Sequence, residues 1–345
     1  MRDDLFAQMG QMGLTGLRIP EAYGGQAASA VVAGVAAEEV ARSDFNAAYV
    51  LIVVGLISDI LVRNATPEQQ QRWLPDIAAG RTVPCICITE PGHGTDAAAL
   101  SLRATRTEDG WTLHGEKTSI SLGLYADRAV VLARTGGPGA RGVSAFWVDL
   151  TDPTVTRGGF DDLGSRSIGR ASLHFDGTPV GPDALVGEEG AGFVSVMQGF
   201  DYSRAIIGLA CLGAAQVSLE EALQWARDRE AFGAPIGTFQ GVSFPLAEQA
   251  TYLRGARHVC FEALWAKDTG REHSTEAAMA KFWAPKLAAE TIHQCLLTLG
   301  HLAYSTESPV GQRLRDVIGL EIGDGTAQVS KLVIARNLLG REFAP

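Results

Sequence analysis

The chain has 345 residues, 46% of them hydrophobic and 20% charged, with a formal net charge of -10. That length exceeds one ordinary core and predicts two or three domains of a folded globular protein. The acidic balance argues against nucleic acid as the main partner, because phosphate binding needs a basic face; an anionic small ligand needs only a local patch.

Five cysteines, Cys85, Cys87, Cys211, Cys260 and Cys295, are few and odd in number. They read as buried free thiols in a reducing cytoplasm. The histidines form no HxxxH pair and no cluster with cysteine, so no metal is expected. The start, Met1-Arg-Asp-Asp, is charged and lacks the apolar run of a secretory signal. The most apolar stretch, Ala47 to Leu61, already contains Asp59. It is short for a membrane span and predicts a buried helix.

In chain order, residues 1–81 read as helical. Ala30 to Arg42 and Asn46 to Arg63 carry helical patterns, separated from the amphipathic start by the Pro- and Gly-rich loop Arg18 to Gly25. Thr66-Pro67 opens a further helix as N-cap and first residue. The character changes near Thr82. Val83 to Thr89, Leu102 to Arg106, Trp111 to His114, Arg128 to Arg134, Ser144 to Leu150 and Ala171 to Phe175 are short strand patterns. Thr107-Glu-Asp-Gly110 joins the second and third as a hairpin turn. Residues 82–190 therefore predict a β-barrel or sandwich. From 191 to 345 the helical period returns in long segments, 194–229, 239–269, 275–299 and 309–319, with a last one after 328. Long helices joined by short loops imply a bundle. The fold class is α+β.

Four loops could carry chemistry. Thr89-Glu-Pro-Gly-His-Gly-Thr-Asp96 follows a strand. Its Gly92-x-Gly94-x-x-Ala97 nominally matches a dinucleotide fingerprint, but hairpin strands follow where a Rossmann unit needs a helix. Its hydroxyls and N–H groups suit a flavin or a phosphate, or an ordinary turn. In Lys117-Thr-Ser-Ile-Ser121, strand alternation places Ser119 and Ser121 on one face, toward a heterocycle or toward water. Arg227 to Gln240 combines arginines, Phe232 and a Gly-Pro turn. It fits a phosphate and adenine clamp as well as a helix end stopped by Gly233 and Pro235.

The fourth loop, Gly323-Asp-Gly-Thr-Ala-Gln328, sets one carboxylate between two glycines ahead of a helix. Asp324 either caps that helix or faces a ligand beside free helical N–H groups. His93 reads as loop-exposed, and Trp225, Trp265 and Trp283 as core residues of helices.

Together these segments resemble the acyl-CoA dehydrogenase family over nearly the whole chain. The resemblance is carried by Ile19-Pro-Glu-Ala-Tyr-Gly-Gly25, Thr89 to Asp96, Gly187-Glu-Glu-Gly-Ala-Gly-Phe193, Arg229-Glu-Ala-Phe-Gly-Ala-Pro-Ile236, Arg315-Asp316 and Gly323 to Gln328. It begins late, since an opening helix usual in the family would precede Leu5. It implies an N-terminal helical domain (1–81), a middle β-barrel domain (82–190) and a C-terminal four-helix bundle (191–345). FAD would lie between domains, in a cytoplasmic homotetramer or homodimer. The substrate would be an acyl thioester of CoA or a carrier protein. An electron-transferring flavoprotein or another acceptor would take the electrons.

Residue by residue, the resemblance implies that Ile86, Cys87, Ile88, Thr89, Gly94 and Thr95 line the flavin. Ser119, Ile120 and Ser121 would cover its other face, more openly than usual because many members carry an aromatic residue at the Ser119 position. Arg229, Phe232 and Gln240 would reach FAD of a neighbouring subunit, and Thr326, Ala327 and Gln328 would hold FAD from the last loop. Gly300 matches one glycine of a Gly-Gly pair, and His301 replaces the other. Thr95, Asp201, Tyr202, Ser203, Arg204 and Gly325 would line the substrate.

Most members have Glu where this chain has Asp324; some place Glu at the position of Ser203, which cannot act as a base. Asp324 would then be the catalytic base. It would remove the α-proton of a thioester, whose carbonyl takes hydrogen bonds from a flavin ribityl hydroxyl and backbone, while flavin accepts hydride from the β-carbon. Asp is one methylene shorter than Glu, and members acting on cyclohexanecarboxyl-type thioesters look like this, so a cyclic or α-branched acyl group is expected. Two rivals remain: a nitroalkane oxidase-like flavoenzyme that also uses Asp here, and an inactive interaction protein that kept the fold. Lys331, where arginine is usual in both enzyme branches, does not discriminate between them.

Overall fold

The computed structural model describes residues 4–343. The chain divides into two compact units. The first comprises the chain up to Ser29, Val50–Asp162 and Arg166–Ser203; the second comprises Ala30–Tyr49, Leu163–Ser165 and the chain from Arg204 onward.

Among the described residues, four α-helices precede the sheet: α1 (Leu5–Gln11), α2 (Ala30–Ser43), α3 (Phe45–Asn64) and α4 (Pro67–Ala78). Thr66 caps α4 as its sequence predicts. Its hydroxyl accepts from the Gln69 N–H while the Gln69 side chain accepts from the Thr66 N–H, a reciprocal capping box. By length and apolarity α3 could cross a membrane, but 78% of its most apolar window is buried within the protein.

The sheet has eight strands: β1 (Pro84–Cys87), β2 (Arg103–Thr107), β3 (Gly110–Ile120), β4 (Arg128–Arg134), β5 (Val143–Asp149), β6 (Val155–Gly159), β7 (Ala171–Val180) and β8 (Leu185–Val186). Their order is β6-β7-β3-β2-β4-β5-β8, with β1 added parallel to β4. The β2–β3 hairpin turns at Glu108-Asp109, with Thr107 opposite Gly110. Gly110, at φ +136, takes the backbone angle only glycine adopts cheaply. Sequence patterning misses β6 and β8: β6 ends in two glycines and is mostly exposed, and β8 has two residues. Both faces of the sheet are buried at β5: Trp111 meets Phe146 edge-on at 5.2 Å, and Trp147, the next residue and so on the opposite face, meets Trp73 of α4 at 5.7 Å.

The remaining elements are α5 (Gly192–Asp228), a two-stranded ribbon of β9 (Glu230–Ala231) and β10 (Ala234–Pro235), then α6 (Gln240–Asp268), α7 (Ser274–Leu299), α8 (His301–Tyr304), α9 (Pro309–Ile322) and α10 (Ala327–Leu339). In the second unit α7 is central, packing against α6, α9 and α10. Helix α5 also has the length and apolarity of a membrane span, yet 72% of that window is buried. Glu38 on α2 is tied to Arg257 on α6 at 2.7 Å. All five cysteines are buried and free; burial pushes the Cys211 and Cys295 thiols up to about 12, which keeps them un-ionised. Trp265, expected in a core, is instead 50% exposed, with the Arg271 guanidinium over its ring at 5.1 Å.

Candidate active site

In the first unit, the two segments expected to meet the flavin are brought together. β1 ends at Cys87 and the chain leaves the sheet into Ile88-Thr89. There the Thr118 N–H of β3 donates to the Thr89 carbonyl at 2.8 Å. Lys117, fully buried, donates from Nζ to the Ile88 carbonyl at 2.9 Å and to Glu90 Oε1 at 2.8 Å. Glu90, 3% exposed, also accepts from the Leu102 N–H (2.8 Å), the Ser101 N–H (2.6 Å) and the Ser101 hydroxyl (2.6 Å). Burial alone would raise the Glu90 carboxyl, but the Lys117 ammonium and these donors outweigh it and hold it below the usual carboxylate range. Burial draws Lys117 below the usual lysine value, against the pull of Glu90.

This buried pair escaped the sequence reading. Its signal is a lysine at an inward position of a strand, between buried Leu113 and Ile120. Beyond it, Glu90 and His93 close a tight turn through reciprocal backbone bonds of 3.2 and 3.0 Å. Gly94 and Thr95 stand exposed, and a Cβ added at Gly94 would meet nothing within 4 Å. Ile86 is half-buried. Cys87 turns its thiol into the sheet, 3.9 Å from the Cys85 sulfur, so a contact from Cys87 would come through its backbone.

The expected alternation of Ser119 and Ser121 does not hold. Ser119 takes φ +60, and the β3–β7 register shifts between Lys117 and Ile120. Such a bulge breaks the two-residue period, and the strand ends at Ile120. Ser119 is exposed. Its hydroxyl accepts from Arg170 Nη1 at 3.0 Å. Arg170 in turn pairs with Asp162 and lies 4.4 Å from the Phe160 ring centroid.

On α5, Asp201 and Arg204 are half-buried and Tyr202 and Ser203 buried. The Ser203 hydroxyl donates to the Phe200 carbonyl at 3.2 Å, a bond within its own helix. Arg18 stacks over the Tyr202 ring at 5.4 Å.

In the second unit, the last loop assigns the cap of α10 to a residue other than Asp324. The cap of α10 is Thr326, whose side chain accepts from the Val329 N–H at 3.4 Å. Asp324 stands two residues earlier, half-buried, in the left-handed conformation at φ +56, a region Asp tolerates better than most residues. Gly325 follows at φ +94, whereas Gly323 has an ordinary φ of -62. Of the two flanking glycines, only the second is required by the backbone. Lys281 of α7 reaches this turn, donating to the Leu320 carbonyl at 2.7 Å and to the Gly325 carbonyl at 2.9 Å. Sequence patterning overlooks it because it lies among alanines on a buried helix face.

Asp316, also buried, accepts from the Ser165 N–H (2.6 Å) and Asn46 Nδ2 (3.1 Å). Burial raises its carboxyl above the usual range against these donors. Lys331 stands 4.6 Å over the Phe282 ring. Gln328 is exposed in the first turn of α10, and Gly300, at φ +65 and ψ -139, breaks α7 from α8 in a conformation reserved for glycine. Arg229 and Gln240 are exposed, and Phe232, at φ +54, is 99% exposed at the tip of the β9–β10 ribbon.

Three family models match: acyl-CoA dehydrogenase N-terminal domain over residues 1–81, middle domain over 85–178 and C-terminal domain over 190–339. The chain belongs to the acyl-CoA dehydrogenase family. It is 36% identical over 335 residues to the human mitochondrial short-chain specific acyl-CoA dehydrogenase, covering 96% of this chain and 81% of that one. The butyryl-CoA dehydrogenase of Megasphaera elsdenii superposes with a TM-score of 0.94 at 30% identity, covering 98% of this chain and 90% of that one. A structure described with the electron transferring flavoprotein of Acidaminococcus fermentans superposes with a TM-score of 0.94 at 33% identity, covering 97% and 89%.

As a family member the chain is an FAD-dependent oxidoreductase acting on the CH–CH bond of acyl-CoA. Its residues fit the cofactor. In the first unit, Thr89, Gly94 and Thr95 offer hydroxyls and an uncovered backbone, held beside Ser119–Ser121 by the Thr118 and Lys117 bonds. In the second, the free N–H groups opening α10 suit an anionic group.

Proposed function

We propose that Asp324 is the base of this dehydrogenase and that the preferred acyl group is α-branched or cyclic. The observation that carries the reading is the division of labour at the last turn. Thr326 caps α10, and Asp324 stands two residues ahead of it, half-buried on a left-handed turn whose Gly325 carbonyl is held by Lys281 of α7. Bound FAD supplies the hydride acceptor.

The chain's own part is to take a proton. Asp324 removes it from the α-carbon as the β-hydrogen departs as hydride and the Cα–Cβ bond becomes double. The flavin-loop hydroxyls of Thr89, Ser119 and Ser121, the Thr326 N–H group and the Gly300 break are the groups that would hold the cofactor. Thr95 and Asp201–Arg204 would orient the thioester. Arg229, Phe232 and Gln240 would serve FAD of a second copy in a homo-oligomer. CoA is the expected thioester carrier, and an electron-transferring flavoprotein the expected acceptor.

An Asp base is shorter than Glu by one methylene, about 1.5 Å of reach. A thioester whose α-carbon is substituted by a ring or branch brings its proton to a shorter base at less cost. Anaerobic addition of an acyl-CoA panel to the purified protein tests this through bleaching of the flavin band. The reading expects cyclohexanecarboxyl-CoA or an α-branched acyl-CoA to reduce flavin fastest. A preference of more than about tenfold for straight-chain acyl-CoA, roughly 1.4 kcal/mol in the barrier, sinks the substrate reading. Bleaching by nitroalkanes but by no thioester moves the chain to the oxidase reading.

A further inference from the structure

Lys281 is a buried amine for which the mechanism above has no use. It lies in the first third of α7, 1% exposed, with Ala277, Ala278, Ala280 and Ala284 buried around it. A lysine in such a place is expensive unless its charge and its donors are answered. Two donors are answered by backbone carbonyls on either side of Asp324 in the chain. Leu320, in the last turn of α9, offers a carbonyl beyond the reach of the helical ladder, and Gly325 lies just past Asp324. One amine therefore spans the break between α9 and α10.

The charged and titratable groups facing it come from three elements. Asp324 lies on the turn, Glu321 on α9, and Cys211 and Arg204 on α5. Burial draws the amine below the usual lysine value and Arg204 acts in the same direction, whereas Asp324, Cys211 and Glu321 favour its charged form. Among these, Asp324 exerts the strongest upward pull, and that attraction acts equally on the carboxylate.

We propose that Lys281 is a positioning residue for the base: its amine clamps the turn that carries Asp324 and keeps a cation beside the carboxylate. The turn needs such a clamp, because Asp324 and Gly325 both hold left-handed backbone angles that an unsupported loop would relax. An ammonium held on this turn favours the charged form of a carboxylate beside it. This proposal rests on Asp324 being the base.

The test uses the full-length, FAD-loaded protein and its Lys281→Met, Lys281→Arg and Asp324→Asn variants. Anaerobic flavin reduction by the best acyl-CoA is followed from pH 5 to pH 9, with amide hydrogen exchange across 319–330. For Lys281→Met the expected result is a reduction rate at neutral pH lower by about tenfold. Its acid limb should move up by about one pH unit, and exchange at 323–326 should be faster, with thioester affinity little changed. Lys281→Arg, which keeps the cation, should return the acid limb toward wild type.

If Lys281→Met does not yield folded protein, Lys281→Gln keeps a donor without the charge; a shifted acid limb there supports the proposal and an unmoved one overturns it. A purely structural lysine would lower stability and leave the acid limb in place. Asp324→Asn that still reduces flavin at the wild-type rate removes the base reading and this proposal with it. Asp324→Asn inactive, with Lys281→Met unchanged in rate and pH profile, removes the Lys281 proposal alone.

Discussion

Lys117→Met strands a buried carboxylate in the loop that follows β1. The wild-type ammonium makes two bonds, 2.8 Å to Glu90 and 2.9 Å to the Ile88 carbonyl, at a site without solvent. Methionine fills similar space but satisfies neither partner. Breaking a buried ion pair from one side costs about 3–5 kcal/mol. Glu90 keeps three donors from Ser101 and Leu102, which places its share near the lower end. The Ile88 carbonyl, left without its donor, adds about 1 kcal/mol. A total of about 4 kcal/mol in a cooperative unit of roughly 150–250 residues corresponds to a Tm lower by roughly 8–16 °C.

The pH dependence carries the sign of the Glu90 shift. Its carboxyl is held below the unfolded value, so the pair stabilises fully above the unfolded carboxylate pKa, about 4.3, and loses its contribution as pH falls through the lowered folded value. Without the ammonium, burial lifts the carboxyl and lets it protonate at higher pH. The gap between wild type and variant is therefore widest at neutral pH and narrows toward pH 5. Differential scanning fluorimetry from pH 5 to pH 8, with FAD content measured alongside, checks both points. Lys117→Met should also retain less FAD, because the Ile88-Thr89 segment loses one of its two ties to β3. Adding Glu90→Gln should recover part of the loss by removing the stranded charge. A Tm within 2 °C of wild type at pH 7.5, or a gap that does not change with pH, would refute the reasoning.

Two further outcomes follow from the second unit. Gly325→Ala forces a Cβ onto a φ of +94 at a cost of about 1–2 kcal/mol, and should lower kcat more than it changes KM because the strain falls beside Asp324; steady-state kinetics with unchanged kcat would contradict it. Asp316 has a raised carboxyl, so its contribution to stability is complete below the unfolded pKa and is lost as pH rises through the folded one. Asp316→Asn keeps an acceptor for the Ser165 N–H and should therefore gain in Tm relative to wild type as pH rises from 4 to 7, measured by thermal unfolding; a difference independent of pH would argue against a charged, desolvated Asp316.

Much of the architecture was legible because local signals agree with the fold. Thr66-Pro67 carries its cap and first-turn proline, Glu108-Asp109-Gly110 its hairpin turn, and the long Ala/Leu periods of α5 to α7 their buried faces. Strand β6 was not legible, since Val155-Thr-Arg-Gly-Gly offers no apolar face to bury. The bulge at Ser119 was hidden for a different reason: a two-residue period assumes an unbroken ladder, and the β3–β7 pairing breaks there.

At the site, the Asp-Gly pair and the Gly-rich loop could be picked out by composition and order. Whether Asp324 caps a helix could not, because Thr326 two residues later is an equally good cap by type. The Lys117–Glu90 pair and Lys281 were invisible for a physical reason. A lysine in an apolar pattern acquires its partners only when distant segments meet, at sequence separations of 27 residues for Glu90 and 44 for the Gly325 carbonyl.

The central claim, that Asp324 takes the α-proton, is tested most directly by anaerobic single-turnover reduction of Asp324→Asn with the acyl-CoA that best bleaches the wild type. The account predicts a variant that folds, retains FAD and binds the thioester, yet reduces flavin slower by about 10²–10⁴-fold, the usual contribution of a general base. Reduction within a few-fold of the wild-type rate would contradict it and assign the proton to another group.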